Sequence, residues 1–206
     1  MIILRIAKIV LTGGPCAGKT SATAKINETF SALGFSVLII NETATQLINS
    51  GIAPWTCPTS SFYQNLQMRL QLEKEKIFEK AAENMASENV LIVCDRGIPD
   101  CRAYMTKDEY LSAIANLGFD EKGILGRYDA VFHLVSAADG AEEFYSVSNN
   151  SARTETAAEA VILDNKVKNA WSNHPYFRVI DNSVGFDAKI DTLIREIMIF
   201  FKISQE

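Results

Sequence analysis

Residues 8–21 read Lys-Ile-Val-Leu-Thr-Gly-Gly-Pro-Cys-Ala-Gly-Lys-Thr-Ser, an apolar run leading straight into Gly13-x-x-x-x-Gly18-Lys19-Thr20. A strand, a glycine-rich turn and a helix in that order constrain the fold more than any other feature of the chain. Gly13, Gly14 and Gly18 let the loop through Pro15, Cys16 and Ala17 turn its amides inward as an anion nest, at the positive end of the helix that follows. Lys19 then reaches the β- and γ-phosphates of a nucleotide. Thr20 supplies a hydroxyl to the accompanying Mg²⁺, and Ser21 closes the segment. The ligand implied is ATP or GTP.

The remaining elements follow by periodicity. Residues 19–33 read as a helix ended by Gly34 at C′, and Phe35-Ser-Val-Leu-Ile-Ile follows as a second strand. From 62 to 85, Phe62, Leu66, Leu70, Ile77, Ala81 and Met85 fall on one stripe of a long helix, which predicts its buried face. Glu73, Lys74, Lys76, Glu79 and Lys80 are then its solvent-side residues. Strands are predicted at 90–95, 130–135 and 177–181, each short and continuously apolar, as expected of parallel strands covered on both faces. Thr156 and Glu159 form a capping box opening a helix to about Trp171, and Asp187 is placed to cap a last helix. Alternating strands and helices predict an α/β fold: a doubly wound, five-stranded parallel sheet with ligands at the carboxyl ends of its strands. Nothing reads as a linker, so residues 1–206 are expected to form one domain.

Bulk properties narrow the function classes. The net charge is −5 and no Lys/Arg block stands out, which argues against nucleic acid or an anionic membrane surface as the main partner. The opening Met1-Ile-Ile-Leu is broken by Arg5 and Lys8, so it reads as a buried strand and not as a signal or membrane insertion, and a cytoplasmic protein is expected. Cys16, Cys57, Cys94 and Cys101 lack C-x-x-C spacing, and two histidines do not make a zinc site.

Several residues fall where chemistry is expected. Asp95 ends an apolar strand, the place for a carboxylate that orients Mg²⁺ through water. Capping of the next helix is the alternative. Arg96 beside it presents a cationic fork to phosphate oxygens. Glu42 closes the second strand and should project into the same crevice as Lys19 and Asp95, either as general base toward a substrate hydroxyl or as an ion-pair partner of Arg96 or Arg102. Arg153 lies in a polar, turn-rich stretch that reads as a lid at about 147–156, delivering positive charge on closure or else lying in solvent. Trp55, Phe144 and Tyr145 either line an acceptor pocket or plug the end of the core. Asn182 and Ser183 follow the fifth strand, where side chains approach a nucleotide base.

Thr12-Gly-Gly-Pro-Cys-Ala-Gly-Lys-Thr20, Asn41-Glu-Thr-Ala-Thr45, Cys94-Asp-Arg-Gly-Ile-Pro-Asp100 and Gly140-Ala-Glu-Glu-Phe-Tyr145 together resemble the AAA-type ATPase domains of the NadR and TRPL-translocation-defect kind, over residues 8 to about 183. The NadR resemblance implies ribosylnicotinamide phosphorylation; the translocation-defect resemblance implies GTP binding in trafficking. Glu42 and the Asp95-Arg96…Arg102 spacing are also similar to deoxynucleoside kinases, which implies a strand-end base and an acid-arginine pair handling phosphates and substrate. Gly97 stands where those kinases usually carry Ser, and no arginine-finger and sensor pattern of a ring motor is present. Two functions are thus expected. One is Mg²⁺-dependent transfer of a γ-phosphate to a small hydroxyl-bearing, nucleoside-like acceptor. The other is a nucleotide switch with a protein partner, in which Glu42 or Gln46 positions a water.

Overall fold

The computed structural model, which describes residues 6–140 and 156–203, places Ile6–Thr12 (β1) at the centre of the sheet. Its flanking strands are Val90–Asp95 (β3) and Ala130–Leu134 (β4), and Ser36–Ile40 (β2) and Phe177–Ile180 (β5) form the edges. The order is β2-β3-β1-β4-β5 and every pairing is parallel. The fold class is as expected. The three inner strands are almost wholly buried because helices cover both their faces, and the apolar runs are interrupted only by Lys8 and His133, each of which has a carboxylate partner. The edges depart from that uniformity: most of β2 is half-buried, and Arg178 and Val179 of β5 are exposed.

Lys19–Ala32 (α1) and Phe186–Phe201 (α7) pack on one face, where Ile26, Phe30 and Leu193 meet Ile9, Leu11 and Phe132. Ser60–Asn84 (α3) and Ala157–Ala170 (α6) cover the other, with Ala82, Ala170 and Trp171 against Val10, Ile92 and Val131. Gly34, at φ 85, ends α1 as its position predicts. Thr156 and Glu159 make the capping box of α6. The last helix is capped by Gly185, so Asp187 lies in its first turn, near the helix's positive end. Thr43–Asn49 (α2), Lys107–Asn116 (α4), Glu121–Leu125 (α5) and a 3₁₀ segment, Ile98–Tyr104, complete the described elements. Among the described residues no helix is long and apolar enough to cross a membrane.

The long helix α3 is rotated away from its predicted stripe: Leu66, Leu70 and Met85 are half-buried, but Phe62, Ile77 and Ala81 are exposed. Phe62 is 49% exposed and Ile77 64% exposed, and the buried face is Tyr63, Gln64, Met68, Gln71, Leu72 and Glu75. Charge pairing sets this rotation. Glu75, fully buried, accepts hydrogen bonds from Lys8 (3.0 Å), Arg127 (2.9 Å), Tyr128 (2.7 Å) and Gln71 (3.0 Å). Glu79 joins the same cluster through Lys8 and Arg127, and Lys74 donates to Asn41 O and Thr43 Oγ1, so neither is a solvent-side residue. Removing one member of a buried ion cluster strands the others, at a cost of about 3 kcal/mol or more. Glu75→Ala is therefore expected to lose about 3 kcal/mol of stability in urea unfolding, with buried Tyr128 and Gln71 stripped of their acceptor and half-buried Glu79 the carboxylate left to Lys8 and Arg127.

Candidate active site

The phosphate loop is fastened from outside and open within. Gly14 N–H donates to Asp164 Oδ1 at 2.5 Å, Pro15 O accepts from Ser136 Oγ at 2.5 Å, and Ala17 O accepts from Lys189 Nζ at 3.3 Å. Three elements thereby hold the loop's outward groups. Cys16 (φ 55) and Gly18 (φ 87) take the left-handed conformation that curls successive amides into a concave nest. The first-turn amides of α1, beginning at Lys19, have no intrahelical acceptor and are available to an anion. Lys19 Nζ rests 3.5 Å from both Gly13 O and Gly14 O. Burial and the charge of Arg96 lower its pKa, against the pull of Asp95, Glu42 and Asp100.

Arg96 joins three strand ends. Its backbone is left-handed at φ 70, a conformation costing a non-glycine residue about 1–2 kcal/mol, and its N–H continues the sheet to Leu11 O. Its side chain donates to Glu42 at 2.5 Å and to Asp100 at 3.3 Å. Thr45 donates to the other oxygen of Glu42. Burial pushes the Glu42 carboxyl up, but the charges of Arg96 and Lys19 and the bonds from Thr45 and Arg96 outweigh it and hold it at about 2. Asp95 moves the other way, raised by burial and by Glu42 against the pull of Lys19 and Arg96.

Asp100 lies within the 94–100 run but was not marked by the sequence as a site residue. Buried, it accepts from Thr12 Oγ1 (2.5 Å), Gly97 N (3.0 Å), Trp171 Nε1 (2.9 Å) and Arg96. Gly97 has a packing reason. A Cβ there would stand 2.8 Å from the Trp171 ring and 3.1 Å from Tyr128, so the Ser usual in deoxynucleoside kinases does not fit under this indole.

Two clefts open at the carboxyl ends of the strands. The larger, about 880 Å³, runs along Cys16, Gly18, Lys19, Thr20 and Ser21 and reaches Asp95. The second, about 360 Å³, lies between α2, α3 and the 3₁₀ segment, walled by Trp55, Tyr63, Gln64, Tyr104 and Arg96. Lys19, Glu42 and Thr45 line both. Gln64 is buried, and its Oε1 has no hydrogen-bond partner among the described residues. On the far side of the loop, half-exposed Phe186 sits against Gly18, where a Cβ would come within 2.6 Å of its ring.

The donor set suits Mg²⁺ carried by a nucleotide. Asp95 Oδ1 is buried without a hydrogen-bond partner, and Thr20 is exposed in the same cleft. No group of three or more His, Cys, Asp or Glu able to hold a metal occurs among the described residues. Such a site needs phosphate oxygens to complete it, which is the usual mode for Mg²⁺.

Trp55, predicted near an acceptor, lines the second cleft. Arg102 does not: it pairs with Glu121 at 3.1 Å and lies over the Tyr110 ring, since the 3₁₀ turn carries it away from Arg96. Asn182, expected at a nucleotide base, instead ties loops together. Its amide donates to Ser136 O and Asp139 O, and its carbonyl accepts from Lys189. Arg153, Phe144, Tyr145 and the 147–155 part of the predicted lid lie outside the described residues.

Residues 8–189 match the family model described as AAA domain. The chain belongs to that family. Among curated proteins no significant sequence match was found. Among solved structures, the AAA domain described here is similar to the deoxyadenosine kinase from M. mycoides with bound dATP, with a TM-score of 0.59 over 93% of this chain and 98% of that one. At 15% identity the likeness is one of fold, that of a P-loop, kinase-like NTPase, and such a fold implies nucleotide binding.

The Arg96–Glu42 pair gives this AAA domain a testable acid response. A carboxyl held at about 2 when folded and near 4.5 when unfolded stabilises the native state above pH 4.5, and that contribution disappears as pH falls toward 2. Between pH 5 and 2, Glu42→Gln should lose about 2 kcal/mol less stability than wild type, read from urea midpoints at each pH.

Proposed function

We propose that this AAA domain is a Mg²⁺-dependent phosphotransferase that moves the γ-phosphate of ATP or GTP to a hydroxyl of a small, nucleoside-like acceptor. The observation that carries the reading is that two separate clefts meet at Lys19 and Glu42. A hydrolytic switch needs one nucleotide cleft and a water; a kinase needs a second cavity ending where the γ-phosphate sits. At about 360 Å³ the second cleft falls within the range of small-molecule sites.

In this reading the amides of the loop and Lys19 hold the phosphates, and Thr20 and Asp95 hold the metal. Lys19 and Arg96 are already opposed by Glu42, Asp95 and Asp100. A triphosphate arriving there therefore needs a divalent cation to balance its charge, and Mg²⁺ supplies it together with polarisation of the transferred phosphoryl group. Glu42, ionised throughout the physiological range, accepts the hydrogen bond of the acceptor hydroxyl and orients its oxygen for in-line attack. Positioning is its main contribution, since phosphoryl transfer gains little from early proton removal. Arg96 keeps Glu42 aimed and presents its remaining donors to the transferring group.

The acceptor-side walls favour a neutral substrate. Beyond Lys19 and Arg96, both placed at the phosphate end, the second cleft has no cationic lining residue among the described residues, so nothing there awaits a phosphorylated acceptor. Tyr63, Tyr104 and Trp55 offer aromatic surface, and Gln64 Oε1 an unsatisfied acceptor for a ring N–H. From the sequence alone, Phe144 and Tyr145 are assigned to the acceptor side and Arg153, on a lid at 147–156, to the phosphates.

Turnover of ATP and of GTP with Mg²⁺, with and without nucleosides, ribosylnicotinamide and nucleoside monophosphates, tests the reading through phosphate release and product mass. A phosphorylated neutral acceptor is expected. Slow hydrolysis indifferent to every acceptor overturns it in favour of a switch with a protein partner. Lys19→Ala is expected to abolish nucleotide binding, and Glu42→Gln to keep nucleotide affinity while lowering kcat about 100-fold. Unchanged kcat in the Glu42 variant would remove its assigned role.

A further inference from the structure

Asp164, on α6, is 2% exposed and lines neither cleft. Its Oδ1 takes the Gly14 amide at 2.5 Å, and its Oδ2 lies 3.1 Å from Nε2 of His133 on β4. The fit is built on both sides. A Cβ on Gly14 would stand 2.8 Å from that oxygen and 2.9 Å from Asp164 Cβ, so glycine at 14 is what admits the carboxylate. His133 is fully buried, and its Nδ1 has no hydrogen-bond partner among the described residues. A bare lone pair is better tolerated there than a bare N–H, which assigns the hydrogen to Nε2. The groups facing Asp164, His133 and the amides of Gly14 and Ser136, are then all donors. With His133 in that tautomer a carboxylate satisfies them together, whereas an amide would turn an N–H against one of them or force the imidazole to bury a bare Nδ1–H.

The peptide between Gly13 and Gly14 is planar and trans, so its N–H and C=O point in opposite directions. Holding the Gly14 N–H on Asp164 directs the Gly13 carbonyl to the other side, where Lys19 Nζ rests 3.5 Å away. Pro15 follows without an amide of its own, so Gly14 N–H is the last point at which the entry half of the loop can be anchored through a donor. Burial pushes the Asp164 carboxyl up, but His133 and the amides of Gly14 and Ser136 outweigh it and keep it below the usual carboxylate range.

We propose that Asp164 is a positioning residue for the phosphate loop: through the Gly14 amide it sets the orientation of the 13–14 peptide, and with it the resting place of Lys19 and the affinity for nucleoside phosphates. It touches no substrate. The inference rests on the nucleotide-binding part of the reading above.

Two measurements test it together, ¹H–¹⁵N spectra of the Gly14 amide and calorimetric titration with Mg·ADP, on wild type, Asp164→Asn and Asp164→Ser. In wild type the Gly14 amide proton should lie downfield and be protected from exchange, as a charge-assisted bond requires. In the variants it should move upfield, and Mg·ADP affinity should fall about tenfold. An unprotected, ordinarily placed Gly14 amide in wild type overturns the inference without recourse to any variant. A shifted amide with affinity within twofold of wild type also overturns it, leaving Asp164 a purely structural partner. Wild-type protein that fails to bind Mg·ADP overturns the nucleotide-binding reading and this inference with it.

Discussion

The guanidinium of Arg96 is the point on which the carboxyl face of the sheet is assembled. It reaches Glu42 at the end of β2 and Asp100 in the 3₁₀ turn, while its own amide extends the pairing of β3 with β1. Asp100 passes the connection on to Thr12 at the end of β1 and to Trp171 at the foot of α6. One largely buried cation thus ties together the ends of three strands and, through Asp100, the foot of α6. The left-handed backbone at Arg96 is a local strain that this many partners can sustain, as is common where geometry is held for chemistry.

The parts of this architecture visible in the sequence are those with local causes. The loop at 13–20, the inner strands, the Gly34 stop and the Thr156–Glu159 box each depend on residues within a few positions of one another. The orientation of α3 does not. Its apolar stripe is as regular as that of a buried face, yet Glu75 has partners at Lys8 and Arg127, 67 and 52 residues away, and their pairing leaves Phe62, Ile77 and Ala81 of that stripe exposed. Asp100 has no local signature for the same reason, with Thr12 and Trp171 lying 88 and 71 residues distant. Spacing alone does not place Arg102, because a 3₁₀ turn advances side chains by a different angle from an α-helix.

Asn182 shows a subtler gap between position and role. It follows β5 at the end of the sheet where a nucleotide base is expected, but a buried ammonium beside it, Lys189, needs acceptors more than a base needs a side chain. Lys189 finds three: Val135 O, Asn182 Oδ1 and Ala17 O. The phosphate loop is thus braced by α7 as well as by α6 and by the turn after β4. Membership of the AAA domain family and a kinase-like fold fit such a braced loop. The second cleft, built by α2, α3 and the 3₁₀ segment, is the acceptor side in the proposed reading.

The chain has two tryptophans, and the fold has given them opposite surroundings. Trp171 is fully enclosed with its indole N–H bound to a carboxylate, whereas Trp55 is 69% exposed on the wall of the second cleft. In optical terms the protein carries two intrinsic fluorophores at opposite ends of the polarity scale. Emission at the blue edge reports whether the Arg96–Asp100 assembly is intact, and emission at the red edge reports the surroundings of the second cleft, so the two regions can be followed separately without any label.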